Sequence, residues 1–206
     1  MFAHIAAVFF SVDCLVVPGD SLTRLVEERL GLRGPASMHE AEESAPERWA
    51  GLPERDLHTQ LADVPVLAGV EETTRWCWDN GLVPVVSSLT WAPIGAHLAE
   101  RYGFHSYFGR PLDAVRGRFT GDSTSVSALP SEAEWAVRRA DELGLTARQC
   151  AAVGACQADV PLFGSVGLGV AFNARAGADT SAAHPVEGDD LRAVIPALDC
   201  LTARKV

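Results

Sequence analysis

Three clusters of reactive side chains stand out in this sequence, because each comes directly after an apolar run. Carboxylates can transfer protons, and serine hydroxyls or cysteine thiols become nucleophiles when a base activates them. If the apolar runs are parallel strands, their carboxyl ends lie at one edge of a sheet, where ligands bind in such folds. The sequence therefore predicts one pocket built from three distant segments. Its candidate residues are Ser11, Asp13 and Cys14, then Ser87 and Ser88, and finally Cys156, Gln157 and Asp159.

The apolar runs that position these clusters are typical of strands buried on both faces. Helical patterns separate them, and this alternation predicts an α/β fold with a Rossmann-like parallel sheet at its core. The predicted strands span residues 4–12, 81–88, 104–108, 150–154 and 167–172, with a strand or hairpin arm at 117–121, helices at 69–80, 92–102, 132–143 and 159–165, and a loop at 174–190.

A helical insertion follows the first predicted strand. Residues 22–62 have helical texture with breaks at Gly31, Gly34-Pro35 and Gly51, and they include an acidic run from Glu40 to Glu47. We interpret residues 18–65 as a small helical cap. Residues 1–17 together with 66–206 then form the core domain.

Four stretches occur in the order and spacing of known motifs: Phe10–Leu15, Val85–Ser88, Leu112–Asp122 and Ala151–Asp159. The first, second and fourth of these stretches resemble motifs of the haloacid dehalogenase superfamily, and Leu112–Asp122 resembles the stretch before its third motif. The chain is most similar in type to the phosphoserine phosphatases of that superfamily. In that family the first strand ends in Asp-x-Asp-Gly-Thr, the second ends in Ser or Thr, and the fourth motif is Gly-Asp-Gly-x-x-Asp. The resemblance covers about residues 9–175. It implies a Rossmann-like core with a cap insertion.

The first motif departs from the family pattern. The resemblance implies that its first Asp attacks phosphorus and binds magnesium, whereas this chain has Ser11 there. The second Asp, the family's general acid/base, is retained as Asp13, and the following Thr is replaced by Leu15. A serine hydroxyl is a weak nucleophile unless a base activates it.

The third and fourth motifs depart as well. The family's catalytic lysine falls at Ser131 or Glu132, and the only lysine of the chain is Lys205. The family's magnesium-ligating Asp is replaced by Ala155, while its companion acid remains as Asp159. Magnesium needs carboxylate ligands, and phosphoryl transfer needs cationic stabilisation. We therefore expect no metal and no cofactor.

Two classes of function remain open. The first is an enzyme repurposed for metal-independent, non-phosphatase chemistry of cyclase, isomerase, lyase or hydrolase type on a small organic molecule. In it, Asp13, Ser11 and Cys156 would be catalytic, and Ser87, Ser88, Gln157, Asp159 and Cys14 would bind the substrate. The second is a non-catalytic binding or accessory protein that kept the fold. A residual phosphomonoesterase is a further alternative.

The composition of the chain limits the kinds of partner that it is expected to bind. The net charge is −10, with 27 acidic and 17 basic residues and no basic cluster, which disfavours binding to nucleic acid. The apolar N-terminal run is interrupted at Asp13, too early to span a bilayer, so we expect no membrane association. Five widely spaced cysteines without a CxxC pair indicate free thiols in the cytoplasm. The arginine-for-lysine bias suggests GC-rich coding, in which biosynthetic enzymes of specialised metabolism are common.

Overall fold

The computed structural model describes residues 7–16, 21–32, 45–88, 90–123, 130–174, 181 and 183–202. Its centre is a six-stranded, fully parallel sheet with the strand order β3-β2-β1-β6-β7-β8, and a small antiparallel hairpin is formed by β4 and β5. The strands are β1 Ala7–Ser11, β2 Val83–Ser87, β3 Ser106–Tyr107, β4 Ala114–Val115, β5 Arg118–Phe119, β6 Cys150–Gly154, β7 Leu168–Phe172 and β8 His184–Val186.

Helices cover the sheet, as connections between parallel strands require. Short 3-10 turns lie at Val12–Cys14, Pro46–Trp49, Ala147–Gln149, Gln157–Asp159 and Leu191–Val194. The α-helices are α1 Leu22–Arg29, α2 Glu54–Ala62, α3 Val70–Asp79, α4 Ala92–Tyr102, α5 Glu132–Glu142, α6 Val160–Ser165 and α7 Ile195–Thr202. The predicted α/β fold with a Rossmann-like parallel sheet is confirmed.

Strand β1 is central because every one of its residues is apolar or small and buried. Successive side chains alternate between the two faces of a strand. Val8 and Phe10 pack into the larger core cluster, and Ala7 and Phe9 pack into the smaller one on the other face. A strand that lacks a polar face is stable only between two layers, which explains its position.

The register of the sheet brings the strand ends together. Ser11 at the end of β1 lies opposite Ser87 at the end of β2, and Phe10 lies opposite Val153 of β6. The turns that follow β1, β2 and β6 therefore leave the sheet at the same edge. This is the arrangement that the three polar clusters predicted.

The region predicted as a loop at 174–190 contains a short strand instead. β8, His184–Val186, pairs with β7 at the edge of the sheet. It is three residues long, largely exposed and centred on Pro185, and an edge strand tolerates a proline because one side needs no hydrogen bonds. So short a segment shows no periodic pattern of apolar residues that would predict a strand. It becomes a strand because it pairs with β7.

The insertion after β1 contributes α1, the turn Pro46–Trp49 and α2 within the described ranges. The division into a cap at 18–65 and a core stays a prediction. Among the described residues, no helix is both long and apolar enough to cross a bilayer.

Candidate functional site

Asp13 lies in a 3-10 turn that begins directly after β1. Ser11 at the strand end is buried, and Asp13 is half-buried beside it. The Cys14 thiol points away from this edge: its Sγ donates to the carbonyl oxygens of Ser11 at 2.9 Å and Val153 at 3.5 Å. Cys14 thus joins β1 to β6 inside the core, so its predicted place in a binding site needs correction.

The turn after β6 folds the Asp159 carboxylate back onto the strand end. Its Oδ2 accepts hydrogen bonds from the backbone N–H groups of Ala155 at 2.7 Å and Cys156 at 2.9 Å. Gly154 makes this possible, because a Cβ there would lie 2.6 Å from the Asp159 carboxylate. Asp159 is therefore a buried acid held by two amides.

Glu132 is the first residue of α5 and enters the same region. The helix start is fixed by a capping box, in which Ser131 Oγ accepts from the Glu134 N–H at 3.2 Å and Glu134 Oε2 accepts from the Ser131 N–H at 2.8 Å. Ser131 is thereby used as the cap. Of the two positions matched to the family's lysine, only Glu132 reaches the site.

Burial, reinforced by the charges of Asp159 and Asp13, raises the pKa of Glu132 to about 8, although the nearby Ser87 hydroxyl opposes the rise. Glu132 Oε1 and Ser87 Oγ are both buried, and apart from each other they have no hydrogen-bond partner among the described residues. A carboxyl in this environment is mostly protonated at neutral pH.

These groups surround a cavity of about 40 Å³, which we call the strand-end pocket. It has room for roughly three water molecules. Five of the predicted site residues line it: Ser11, Asp13, Ser88, Cys156 and Asp159. The other residues that line it are Val12, Ser21, Leu22, Thr23, Thr90, Trp91, Arg110, Glu132 and Ala158.

Besides Cys14, two further predicted site residues lie outside the pocket lining. Ser87 is completely buried at the end of β2, near Glu132 but outside the pocket lining. Gln157 is exposed on its 3-10 turn, because that turn directs Asp159 inward and leaves Gln157 on the outer side. The prediction that Gln157 lines the site therefore needs correction.

Arg110 and Trp91 form a wall of the pocket that sequence reasoning missed. The guanidinium of Arg110 lies 4.2 Å from the centre of the Trp91 ring, in cation–π geometry. The backbone fixes this pair, since Arg110 N–H donates to the Thr90 carbonyl and Ala92 N–H donates to the Arg110 carbonyl, both at 2.7 Å. Arg110 follows the predicted strand at 104–108 closely, and this position after a strand end was the available signal.

The chemistry of Cys156 also differs from the catalytic role that the sequence predicted. Burial, followed by the charges of Asp159 and Asp13, raises the pKa of the Cys156 thiol well above its usual value. The thiolate is the nucleophilic form of cysteine. Cys156 therefore lines the pocket as a neutral thiol, which does not suit the predicted catalytic role.

The magnesium ion implied by the family resemblance does not fit the side chains of the strand-end pocket. Ser11 and Ala155 occupy the two positions where the family has carboxylate ligands. Throughout the described ranges, no three His, Cys, Asp or Glu side chains are grouped so that they could hold a metal ion. Since Mg²⁺ requires hard oxygen ligands in near-octahedral geometry, the residues present do not provide a magnesium site.

Comparison with known proteins finds phosphoserine phosphatases. The chain is 27% identical over 161 residues to phosphoserine phosphatase of Archaeoglobus fulgidus, which covers 76% of this chain and 45% of that protein. A solved structure described as the phospho-aspartyl intermediate analogue of phosphoserine phosphatase matches with a TM-score of 0.72 at 19% identity, covering 94% of this chain and 99% of that chain. A HAD family hydrolase from Salmonella enterica serovar Typhi matches with a TM-score of 0.80 at 14% identity, covering 99% of this chain and 73% of that one.

The chain spans about half the length of the curated relatives that it matches, 45% and 47%. No family model matches the sequence. The structural likenesses extend over nearly the whole chain, so the shared feature is the fold of the complete α/β unit.

These comparisons overturn the expectation of a metal-independent enzyme outside the phosphatases. The curated relatives are named phosphoserine phosphatases, and so are several of the similar structures. The chain is thus similar to phosphatases, and the prediction of a non-phosphatase, metal-independent enzyme of cyclase, isomerase, lyase or hydrolase type is wrong. The chain has the fold of the haloacid dehalogenase superfamily and is similar to its phosphoserine phosphatases.

Proposed function

We propose that this chain is a phosphatase relative that has lost hydrolytic activity and binds a small ligand in the strand-end pocket. One observation carries the proposal. The buried carboxyl of Glu132 stands beside Asp13 and Asp159, in a pocket where a phosphatase must hold a negatively charged phosphoryl group.

Electrostatics supports this proposal. Two like charges 4 Å apart repel by about 4 kcal/mol at the effective dielectric constant of a protein surface region. A phosphate dianion in the pocket would meet the charges of Asp13 and Asp159, against the single guanidinium of Arg110 among the described lining residues, and at Glu132 it would meet a carboxyl where the family has a lysine. Catalysis of phosphoryl transfer depends mainly on positive charge around the transferring group, so this balance of charge opposes it.

The residue at the position of the family's nucleophile also supports the proposed loss of hydrolytic activity. One matched structure is described as a phospho-aspartyl intermediate analogue, whereas β1 of this chain ends in Ser11. The nearest carboxylate in sequence, Asp13, lies on the following turn. A buried serine without a histidine or lysine base in the pocket lining is a poor nucleophile.

A second candidate is a residual phosphomonoesterase, which the names of the relatives favour. Asp13 and Asp159 are retained at the pocket, and Ser87 lies at the end of β2 as the family resemblance implies. The experiment below separates the two candidates.

Phosphate release from phosphoserine and from p-nitrophenyl phosphate tests the proposal, with and without millimolar Mg²⁺. We expect the purified protein to show background rates. The triple variant Ser11→Asp, Ala155→Asp, Glu132→Lys restores the family's charge pattern, and some Mg²⁺-dependent hydrolysis is expected there because these groups act as a unit. Turnover by the unaltered protein that survives repurification and disappears in Asp13→Asn would establish the phosphomonoesterase instead.

A further inference from the structure

Helix α2 of the insertion is fastened to the rest of the fold at both of its ends. At the N-terminal end, the Glu54 N–H donates to the Gly117 carbonyl, between β4 and β5, at 3.0 Å. At the C-terminal end, Arg101 Nη1 of α4 donates to the Ala62 carbonyl at 2.6 Å. The first attachment joins two backbone groups, whereas the second depends on how α2 packs against α4.

Two histidine rings lie one helical turn away from the Arg101–Ala62 hydrogen bond. His58 precedes Ala62 by four residues and His97 precedes Arg101 by four, so each histidine shares a helix face with a residue of that bond. The centres of the two rings are 6.1 Å apart. His58 is exposed, whereas Nε2 of His97 is buried and makes no hydrogen bond to any described residue. A protonated imidazole donates from both nitrogens, so a charged His97 would place a buried donor there without an acceptor.

The surroundings of His97 oppose its protonation. Burial first, and then the charges of His58 on α2 and Arg101 on α4, lower the pKa of the His97 ring, against an opposing effect of Glu100. Helix α4 also packs against α3, β2 and β3, but the charged groups that act on His97 are these three, from α2 and from α4 itself. Two of the three are cations when His58 is protonated.

The contact between α2 and α4 is therefore sensitive to pH. Because the pKa of His97 is lowered where the helices are packed together, the ring binds a proton more readily once they separate. The packed state is favoured fully above about pH 6.5, the usual pKa of histidine, and loses stability as the pH falls below that value. Protonation of both rings adds repulsion between like charges.

Helix α2 is connected to the strand-end pocket through α1. Arg29 Nη1 of α1 donates to the Gln60 carbonyl of α2 at 3.3 Å. Leu22 and Thr23, at the start of α1, line the pocket, and the hydroxyls of Thr23 and Thr90 hydrogen-bond each other. A displacement of α2 is therefore transmitted to one wall of the pocket.

We propose that His58 and His97 form a pH-sensitive latch between α2 and α4, which is closed when both imidazoles are neutral and opens when they are protonated. The backbone hydrogen bond between Glu54 and Gly117 does not titrate, so it keeps the N-terminal end of α2 in place. In acid the C-terminal end of α2 separates from α4 while the central sheet stays folded. The latch goes beyond the proposed function and does not depend on which ligand the pocket binds.

Hydrogen exchange of the full chain at pH 7.5 and pH 5.0, followed by mass spectrometry, tests the latch. The measured quantity is the protection of backbone amides in α2, Glu54–Ala62, and in β6, Cys150–Gly154, corrected for the intrinsic effect of pH on exchange. We expect the protection of α2 to fall about threefold or more at pH 5.0, the factor that two unit charges 6.1 Å apart give even in bulk water. The amides of β6 should keep their protection.

Three single variants identify the groups responsible. In His97→Gln, which has no ring to protonate, the fall in α2 protection should disappear even if overall stability changes. In His58→Gln, a change at an exposed position, the fall should become smaller because one of the two charges is removed. The matched control is His184→Gln, an exposed histidine on β8, which should keep the full fall.

Three results would overturn the latch. The first is unchanged protection of α2 between the two pH values in the unaltered protein. The second is an equal loss of protection in β6, which would indicate global unfolding. The third is a full fall that persists in both His97→Gln and His58→Gln, which would assign the pH dependence to other groups.

Discussion

At the scale of the residue, the protonation of Glu132 governs the chemistry of the strand-end pocket. Its carboxyl is removed from water and faces two other acids, which raises its pKa from 4.5 to about 8. At neutral pH it is mostly a neutral group with one proton to give. Around it, the pocket combines the neutral thiol of Cys156 and several hydroxyls with the charges of Asp13, Asp159 and Arg110.

This raised pKa predicts a pH-dependent stability that Glu132→Gln removes. The folded protein keeps a proton that the unfolded chain releases above about pH 4.5, so the stabilisation is full below that pH and is lost as pH rises to about 8. We expect Glu132→Gln to be more stable than the unaltered protein at pH 8.5, by on the order of a few kcal/mol, and nearly equal to it at pH 4.5.

Urea unfolding at the two pH values measures this difference. Glu142→Gln serves as the control, because its side chain is 63% exposed and its ion pair with Arg139 is weak. A difference between Glu132→Gln and the unaltered protein that does not change with pH would show that Glu132 is ionised in the folded state.

At the scale of the element, the turn after β6 depends on the lack of a side chain at Gly154. The strand ends there, and the Asp159 carboxylate occupies the space where a Cβ would be. Asp159 in turn holds the Ala155 and Cys156 amides, which shape the wall of the pocket. Strand end, turn and buried acid therefore form one unit.

Gly154→Ala should disrupt this unit. The added methyl would lie 2.6 Å from the carboxylate, so Asp159 must move and its two hydrogen bonds must weaken. We expect a loss of about 2 kcal/mol or more in the free energy of unfolding, together with weaker ligand binding.

Gly164→Ala provides the matched control, because a Cβ at this position of α6 would meet nothing within 4 Å. Here an alanine should be neutral or stabilising by up to about 1 kcal/mol, since it favours the helix. Chemical denaturation of both variants compares them directly. Equal stability of Gly154→Ala and Gly164→Ala would contradict the assigned role of Gly154.

At the scale of the whole molecule, Trp49 connects the insertion to the rest of the fold. It is completely buried, its ring lies 6.3 Å from that of Trp91 and 5.8 Å from that of Phe119, and its Nε1 donates to Glu27 Oε1 at 3.2 Å. Trp91 also lines the strand-end pocket. Packing of the insertion thus extends to the pocket wall, and ligand binding there should be coupled to global stability.

Because ligand binding is coupled to stability, the melting temperature reports whether magnesium binds to the pocket. A ligand that binds only the folded protein stabilises it by an amount that grows with the logarithm of the ligand concentration divided by Kd, and so raises its melting temperature. Because Ser11 and Ala155 stand in place of ligand carboxylates, 5–10 mM MgCl₂, on the order of the concentration that saturates ordinary protein Mg²⁺ sites, should leave the melting temperature unchanged. A clear rise that EDTA reverses would contradict this view of the site.

The sequence by itself determined the framework. β6 at Cys150–Gly154 and α4 at Ala92–Tyr102 match the predicted bounds, and β1 was correctly placed within residues 4–12. These elements have strong local signals: continuous apolar runs for buried strands and amphipathic spacing for helices. The convergence of Asp13 and Asp159 at one edge followed from the parallel sheet alone.

Only the tertiary structure decided which side chains enter the pocket. It selected Glu132 over Ser131 because the capping box uses Ser131, it brought Arg110 in from the segment after β3, and it left Gln157 exposed. The direction of a side chain on a turn depends on hydrogen bonds and packing with residues that are distant in sequence. Local pattern therefore located the edge of the sheet, and long-range packing assembled the site.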